Sequence, residues 1–597
     1  MAYRTTKKYE KNETIILAFD IGTTHSAVSF SYAYPGEFPD VRSVVKWPGQ
    51  PEASGDSKIP TIIAYQNGEA QYFGAEAREY LDEDDYEIAR WFKLHLHPDS
   101  MKFGRLSELE IPPLPSGVSL PQVYADFIRY IYKGTKEFFI SNTPNGQHIW
   151  SRLKDQMPII FCTPNGWDMS EHAFLTQAAI QAGIVDPSNA EDRLWFLTEG
   201  EASVHYSLAH TKTAEWLKEG TVFAVTDAGG STVDSTLYCC RRESPLVLEE
   251  VCASACVQAG GVYVDRAVED LLKHKLAKSS YGDEETISLM VRQFEQKTKR
   301  TFDGSQTSNI IHFGTPRDND KNHGIVKGKL TLGRDDVGAA YTGVVSNITE
   351  SCTTLLGNRN VQHLLLVGGF GESPYLRQQL KNIFGERRTQ VVTIDEPSKK
   401  AAADGAVIWY LTQLVEARAA RFDYGIICAE NYDRNLHGRF EDKRFVSQDG
   451  IEIFWKFNVL IPKDTIFTHQ WSLAFEGRRG FTEQPTAASL GNCGMEVFVW
   501  RGSGPRPYAL DPITADPYLG SKLISGLDSH FSVRADLRAL VGSVESGWNQ
   551  KTGAPFWFVH HTLDLYFRDM KLSARLRWEE KGVERTGPAT IIPVTKL

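Results

Sequence analysis

The stretch that most constrains this chain is Val222–Tyr238, VFAVTDAGGSTVDSTLY, an apolar run that breaks at Asp227, turns through Gly229-Gly230-Ser231-Thr232 and resumes past Asp234. It reads as strand, tight turn, strand, because two adjacent glycines let the backbone reverse and approach a ligand without Cβ interference. Such a turn can aim successive N–H groups into one concavity and hold an anion. A carboxylate at its lip would repel a bare phosphate, so Asp227 fits that reading when a cation, magnesium by its preference for oxygen and water, lies between them. An ordinary hairpin with polar turn residues is the competing reading of this segment alone.

A second copy of the pattern lies near the N-terminus. Thr14–Phe19 is apolar, Asp20 follows, then Ile21-Gly22-Thr23-Thr24-His25-Ser26, then the apolar Ala27–Phe30. Two such hairpins far apart in one chain suggest two similar half-domains gripping the phosphates of one nucleotide from opposite sides. A third break, at His363–Gly369 with the pair Gly368-Gly369, precedes a helical pattern from Pro374 to Phe384 and suits the other end of that nucleotide.

DIGTTHS, DAGGSTVD and LLLVGGFGESPYLRQQL, in this order and spacing, resemble the nucleotide-binding signatures of the heat-shock protein 70 family, within the actin-like ATPase superfamily. The resemblance extends to Pro158–Pro164 with the helical stretch Ser170–Gly183, and to the connecting segment Phe196–Ser203. It also covers the Gly-Gly-x-x-x-Asp pattern of Gly260, Gly261 and Asp265, and Lys299-Arg300-Thr301, which is similar to part of an adenosine-contacting helix. It spans about residues 14–415 and implies an α/β fold: an actin-like ATPase fold of two similar half-domains, followed by a β-rich C-terminal domain. The implied cofactors are ATP/ADP and magnesium. Asp20 and Asp227 would hold the magnesium through water. Gly22, Thr23, Thr24, Gly229, Gly230, Ser231 and Thr232 would face the phosphates, with Gly260, Gly261, Lys299, Arg300, Gly368 and Gly369 completing the nucleotide site. Glu199 resembles the connecting-segment glutamate, and Lys93, in Ala89–Leu94, stands near the place of a lysine that reaches the γ-phosphate. Asp234 is open to two readings, a water-orienting acid or a strand-end turn acid.

The sequence also departs from the family pattern. Ser231 stands where a third glycine is usual, Gly200 replaces the proline after the connecting-segment glutamate, Glu372 takes the place of an adenine-stacking arginine, and Gln296 that of a ribose-binding glutamate. Loss of a stacking cation removes about 0.5–2 kcal/mol, up to roughly thirtyfold in affinity.

A length of 597 residues predicts about two to four domains. With 65 basic and 75 acidic residues the net charge is −10, which argues against general nucleic-acid or anionic-membrane binding. Met1–Glu13 is polar, a tail without the apolar core of a signal peptide, and no segment reaches the roughly 18 consecutive apolar residues of a membrane span. A cytoplasmic protein follows as the expectation. The eight cysteines form no C-x-x-C unit, and neither His95 with His97 nor His560 with His561 has partner ligands at metal-site spacing. The acidic run Leu81–Glu87 reads as a solvated, helix-like face, and Tyr124, Phe127 and Ile131 as the core stripe of a helix over Val123–Ile140.

A helix over Ala406–Ala420 sets a boundary between residues 14–420 and a β-rich module, 421–597, with strands expected at Ile451–Leu460, Met495–Trp500, Ser529–Leu537, Pro555–Phe567 and Leu572–Trp578. In the family the corresponding module holds an extended peptide beneath a helical lid. Here Leu597 leaves no room for a lid, and Ala419–Tyr424 lacks the family's apolar linker, so the resemblance is to a divergent, lid-less branch. Two functions follow from it: an ATP-hydrolysing, chaperone-like protein whose module takes extended polypeptide, or a nucleotide-gated protein with negligible hydrolysis and one specific protein partner.

Overall fold

The computed structural model describes residues 3–5, 7–50, 58–98, 101, 111–393, 401–412, 414–467, 471–491, 493–502, 504–509, 524–568, 571–587 and 590–593. Contacts divide the chain into two units, one of Met1–Glu249 with Ser254–Val415, the other of Glu250–Ala253 with Glu416–Leu597.

In the first unit the same strand arrangement occurs twice. Thr14–Asp20 pairs antiparallel with His25–Ala33 on one side and parallel with Ile159–Thr163 on the other, and Leu194–Thr198 extends the parallel part. Val222–Ala228 pairs antiparallel with Val233–Glu243 and parallel with His363–Val367, and Gln390–Thr393 extends the parallel part. The apolar runs follow from this arrangement. Ile15–Phe19 and Phe223–Val225 are fully buried, as central strands covered on both faces must be. Parallel neighbours need crossovers, and helices Met169–Gln181 and Pro374–Glu386 supply them in the two halves. The first of these starts at a reciprocal cap between Asp168 and Glu171.

After each last strand comes a helix, Glu199–His210 in one half and Ala401–Thr412 in the other. These two helices pack together at Gly405, where a Cβ would come within 1.9 Å of the Ala202 carbonyl. The expected helix over Ala406–Ala420 is corrected here: it ends at Thr412, and Val415–Ala419 is a strand. Val415, Ala417 and Ala419 alternate as buried positions, which is a strand period that short apolar residues conceal in the sequence.

Three other expectations change. The N-terminal tail contributes a strand, with Tyr3–Arg4 pairing with Asp40–Val41. Leu81–Tyr86 is a set of turns rather than a helix, followed by a strand at Glu87–Arg90. The helix of the Tyr124, Phe127 and Ile131 stripe is longer than expected, Leu120–Asn142, and all three side chains are buried.

The second unit is two antiparallel sheets. One runs in the order Phe445–Val446, Glu452–Ile461, Asp423–Asn431, Cys493–Trp500, Leu527–Ala535, Thr590–Pro593; the other runs Ser472–Phe481, Ala554–Arg568, Lys571–Glu580, Val583–Thr586. Val497, Phe531 and Val533 of the first share one core with Val559, Leu563 and Leu576 of the second, the arrangement of a sandwich. Asp423–Asn431 and Ser472–Phe481 were not expected as strands. The latter lies at a sheet edge and carries Glu476, Arg478 and Arg479, charges that protect an edge and weaken its apolar signal.

Candidate functional site

The two repeated hairpins bring their turns together. Asp20 ends the first strand of one hairpin opposite Ala27, and Asp227 lies near the end of its counterpart, opposite Asp234. The second turn is closed by the Gly229 N–H donating to the Thr232 carbonyl at 2.9 Å. The hydroxyls of Thr23 and Ser231 are 2.7 Å apart, so one side-chain hydrogen bond joins the two turns across 208 residues of sequence.

Around them is a cavity of about 250 Å³, lined among others by Asp20, Gly22, Thr23, Thr24, Lys93, Glu199, Asp227, Gly229, Gly230, Ser231, Thr232, Gly261, Lys299, Arg300, Gly368 and Gly369. The sequence placed all of these in one site, and the fold brings them to one wall. Gly368 has φ +87°, and a Cβ there would come within 2.3 Å of Asp227 Oδ1, so only glycine lets the third strand end close over the aspartate.

The charged groups are ordered in pairs. Lys93, on the short 3-10 helix Phe92–Leu96, donates to Glu199 Oε1 at 2.7 Å, and both are buried. Glu199 is the first residue of its helix, whose N-cap Thr198 accepts from the Glu201 N–H. Ser203, one turn later on the same face, donates its hydroxyl to Asp227 Oδ2. Lys58 Nζ is 3.3 Å from Asp20 Oδ2. Burial raises the Asp227 carboxyl to about 6, against the lowering effect of the Ser203 hydrogen bond. Burial likewise raises Glu199, to about 8; Lys93 opposes the rise, and Asp234, Asp20 and Asp227 add to it. Burial would lower Lys93, but Glu199 and Asp20 outweigh it and keep the ammonium charged.

Four expected residues have other work. Asp234 is not on the cavity wall: it is buried and accepts the Asn165 N–H at 2.7 Å, which supports its reading as a turn acid. Gly260 is also off the wall, and the N–H groups of Gly260 and Gly261 donate to the carbonyls of Ser231 and Gly229. They brace the Gly229–Thr232 turn, and their backbone N–H groups are used up in doing so. Lys299 is on the wall, but its ammonium is held by Asp265 at 2.5 Å and by the Gly261 carbonyl at 3.3 Å.

The sequence reading missed Lys58, Ser203, Asn165 and Glu295. Ser203 was legible as the residue four beyond Glu199, and the others had no local signal. Glu295 corrects the reading of Gln296. Residues Phe294–Thr298 form a π-helix, whose extra residue per turn shifts the inward face by one, so Glu295 lines the cavity while Gln296 is exposed. Glu372 lines the cavity as well, next to Phe370.

The residues fit a hydrated magnesium ion. Among the described residues no three His, Cys, Asp or Glu side chains lie close enough to hold a metal directly. Yet Asp20 and Asp227 flank two polar turns on one cavity, the setting in which magnesium keeps its waters and uses few carboxylates.

A family profile described as Hsp70 protein matches residues 199–412, which run from the connecting-segment glutamate through the second hairpin to the end of the last helix of that unit. Human heat shock 70 kDa protein 12A is 23% identical over 527 residues, covering 74% of this chain and 76% of the relative. Human heat shock 70 kDa protein 12B is 24% identical over 530 residues, covering 73% and 74%. The chain is similar to Hsp70-family proteins, at an identity that fits a divergent relative of them. The duplicated strand order is that family's actin-like ATPase fold, and the β-rich unit follows it in the chain. Nucleotide binding is the property expected of such a protein. Among the described residues no helix is long and apolar enough to cross a membrane.

Proposed function

We propose that this Hsp70-like chain binds ATP with magnesium between its two phosphate turns and hydrolyses it slowly, and that its β-rich unit takes an extended polypeptide or a specific protein partner in the cytoplasm. The observation that carries the reading is the Lys93–Glu199 pair at 2.7 Å, on the same cavity wall as Asp20 and Asp227. Phosphoryl transfer to water needs charge on the phosphates offset, a positioned water and little covalent work. Bound magnesium supplies charge neutralisation on the phosphates. The chain supplies the rest: Thr24 and the Gly229–Thr232 turn face the phosphates, Lys93 carries positive charge to the terminal phosphate, and Glu199 orients the attacking water. Asp234 adds negative charge beneath the site and orders the Asn165 backbone.

One observation favours the second reading, a nucleotide-gated binder with negligible hydrolysis. Glu199 is buried, raised toward its neutral form and held by Lys93, which makes it a poor acceptor of a proton from water. A single-turnover assay with magnesium and radiolabelled ATP separates the two. Label converted to phosphate on the enzyme supports slow hydrolysis; label bound and unconverted over hours supports the gated binder; no retained label refutes both.

A further inference from the structure

We propose that Lys58 is a further phosphate-binding residue of the cleft, whose ammonium lets nucleotide bind in part without divalent metal. This rests on the nucleotide reading above.

The backbone fixes where Lys58 stands. Ile59–Pro60 pairs antiparallel with His25–Ser26, directly after the first phosphate turn. The Thr61 N–H donates to the Thr24 carbonyl at 2.9 Å, and the hydroxyls of Ser26 and Thr61 are 2.7 Å apart. On its other side the Lys58 carbonyl accepts from Gln50 Nε2 at 2.8 Å. The backbone at Lys58 is therefore anchored beside the first turn, and the residue lines the cavity together with Thr23, Thr24, Gly229 and Gly230.

Charge decides what it can do there. Four carboxylates, those of Asp20, Glu199, Asp227 and Asp234, act on this region, while Lys93 is committed to Glu199 at 2.7 Å. Lys58 Nζ makes a longer contact with Asp20, 3.3 Å, and its charge also acts on Asp227. Its ammonium thus contacts one of the two acids that would otherwise repel a polyphosphate, and its charge acts on the other. A primary ammonium on a four-carbon stem can turn from a carboxylate to a phosphate oxygen without moving its backbone. When metal is absent, Lys58 adds its charge to that of Lys93 in offsetting the aspartates; when metal is bound, the ion does most of that and Lys58 matters less.

The test measures affinity for a fluorescent ATP analogue with the full chain, once with magnesium and once with EDTA. Lys58→Met is expected to lose at least about tenfold in EDTA and less than about threefold with magnesium, as removal of a charge-assisted contact predicts. Lys58→Arg, which keeps the charge, is expected to stay within about threefold of the parent in both. If Lys58→Met does not fold by thermal melting, Lys58→Gln replaces it in the same comparison. An equal loss with and without magnesium, or no loss in either, overturns the proposal, because a merely structural lysine would not distinguish the two conditions. A parent chain that binds in neither condition overturns the nucleotide reading itself, and a parent that binds only with magnesium overturns the Lys58 proposal alone.

Discussion

Asp227 shows how a single buried charge ties stability to function. Its carboxyl, raised by burial to about 6, is ionised at neutral pH at the expense of folding. For an acid whose folded pKa lies above its unfolded value, the penalty is full above the folded pKa. It fades as pH falls through about 6 toward the ordinary aspartate value of 3.8. Asp227→Asn is therefore expected to raise the stability of the nucleotide-free chain at pH 8, by on the order of 1–3 kcal/mol, with the gain shrinking below pH 6. Urea unfolding at pH 8 and pH 5 checks the sign. The same substitution, like Asp20→Asn, is expected to weaken magnesium-dependent nucleotide binding in titration calorimetry; unchanged affinity in both variants would place the metal elsewhere. Ser231 is a milder case. Its hydroxyl is engaged with Thr23, so it leaves the phosphates room, and Ser231→Gly is expected to leave nucleotide affinity equal or tighter. The cost falls on the fold, about 0.5–1.5 kcal/mol for one hydrogen bond, read by melting without nucleotide.

At the level of elements, the helix that begins at Glu199 explains why this chain departs from the family's proline. A Cβ at Gly200 would come within 2.8 Å of Thr236 Oγ1 and 2.9 Å of Asn165 Nδ2, and the Gly200 N–H donates to Asn165 Oδ1 at 3.3 Å. Proline would lose that donor and collide with both side chains. Gly200→Pro is expected to destabilise the chain by about 1–3 kcal/mol in urea rather than to restore a family feature. A variant as stable as the parent would show that Asn165 moves aside freely. The π-helix at Phe294–Thr298 makes the complementary point: the resemblance puts Gln296 in the place of a ribose-binding glutamate, while in this fold Glu295 lines the cavity and Gln296 is exposed.

At the scale of the whole molecule, Ala419–Tyr424 lacks the apolar linker that the resemblance would call for, and the units divide the chain differently from a single cut. Glu250–Ala253 belongs with Glu416–Leu597: the Ala419 N–H donates to Glu250 Oε2 at 2.9 Å, and the Ala253 N–H to Asp464 Oδ1 at 2.7 Å. A fragment of residues 421–597 would lack those contacts, so coupling is best measured in the full chain. Bound nucleotide changes partner affinity only through different affinities for two arrangements. Without the apolar linker or the proline after Glu199, the coupling is expected to stay below about 1 kcal/mol, roughly fivefold. Partner binding with ADP and then with ATP reads it directly, and a shift of about tenfold or more would refute weak coupling.

The sequence by itself determined the parts of this protein whose cause is local. The apolar runs that end in Asp20 and Asp227, and the glycines that follow them, read as strands meeting at tight turns. Their repetition dictated two matching halves. Tertiary structure decided what depends on distant groups sharing one space. The Lys58–Asp20 and Lys93–Glu199 pairs and the Thr23–Ser231 bridge join residues whose separation in sequence leaves no trace of their contact. It also decided which expected donors are consumed: Gly260, Gly261 and Lys299 resemble ligand contacts in sequence, yet their hydrogen bonds are taken by the turn and by Asp265. A backbone N–H or an ammonium has the same appearance in a sequence whether it faces a ligand or a neighbour, and only packing distinguishes the two.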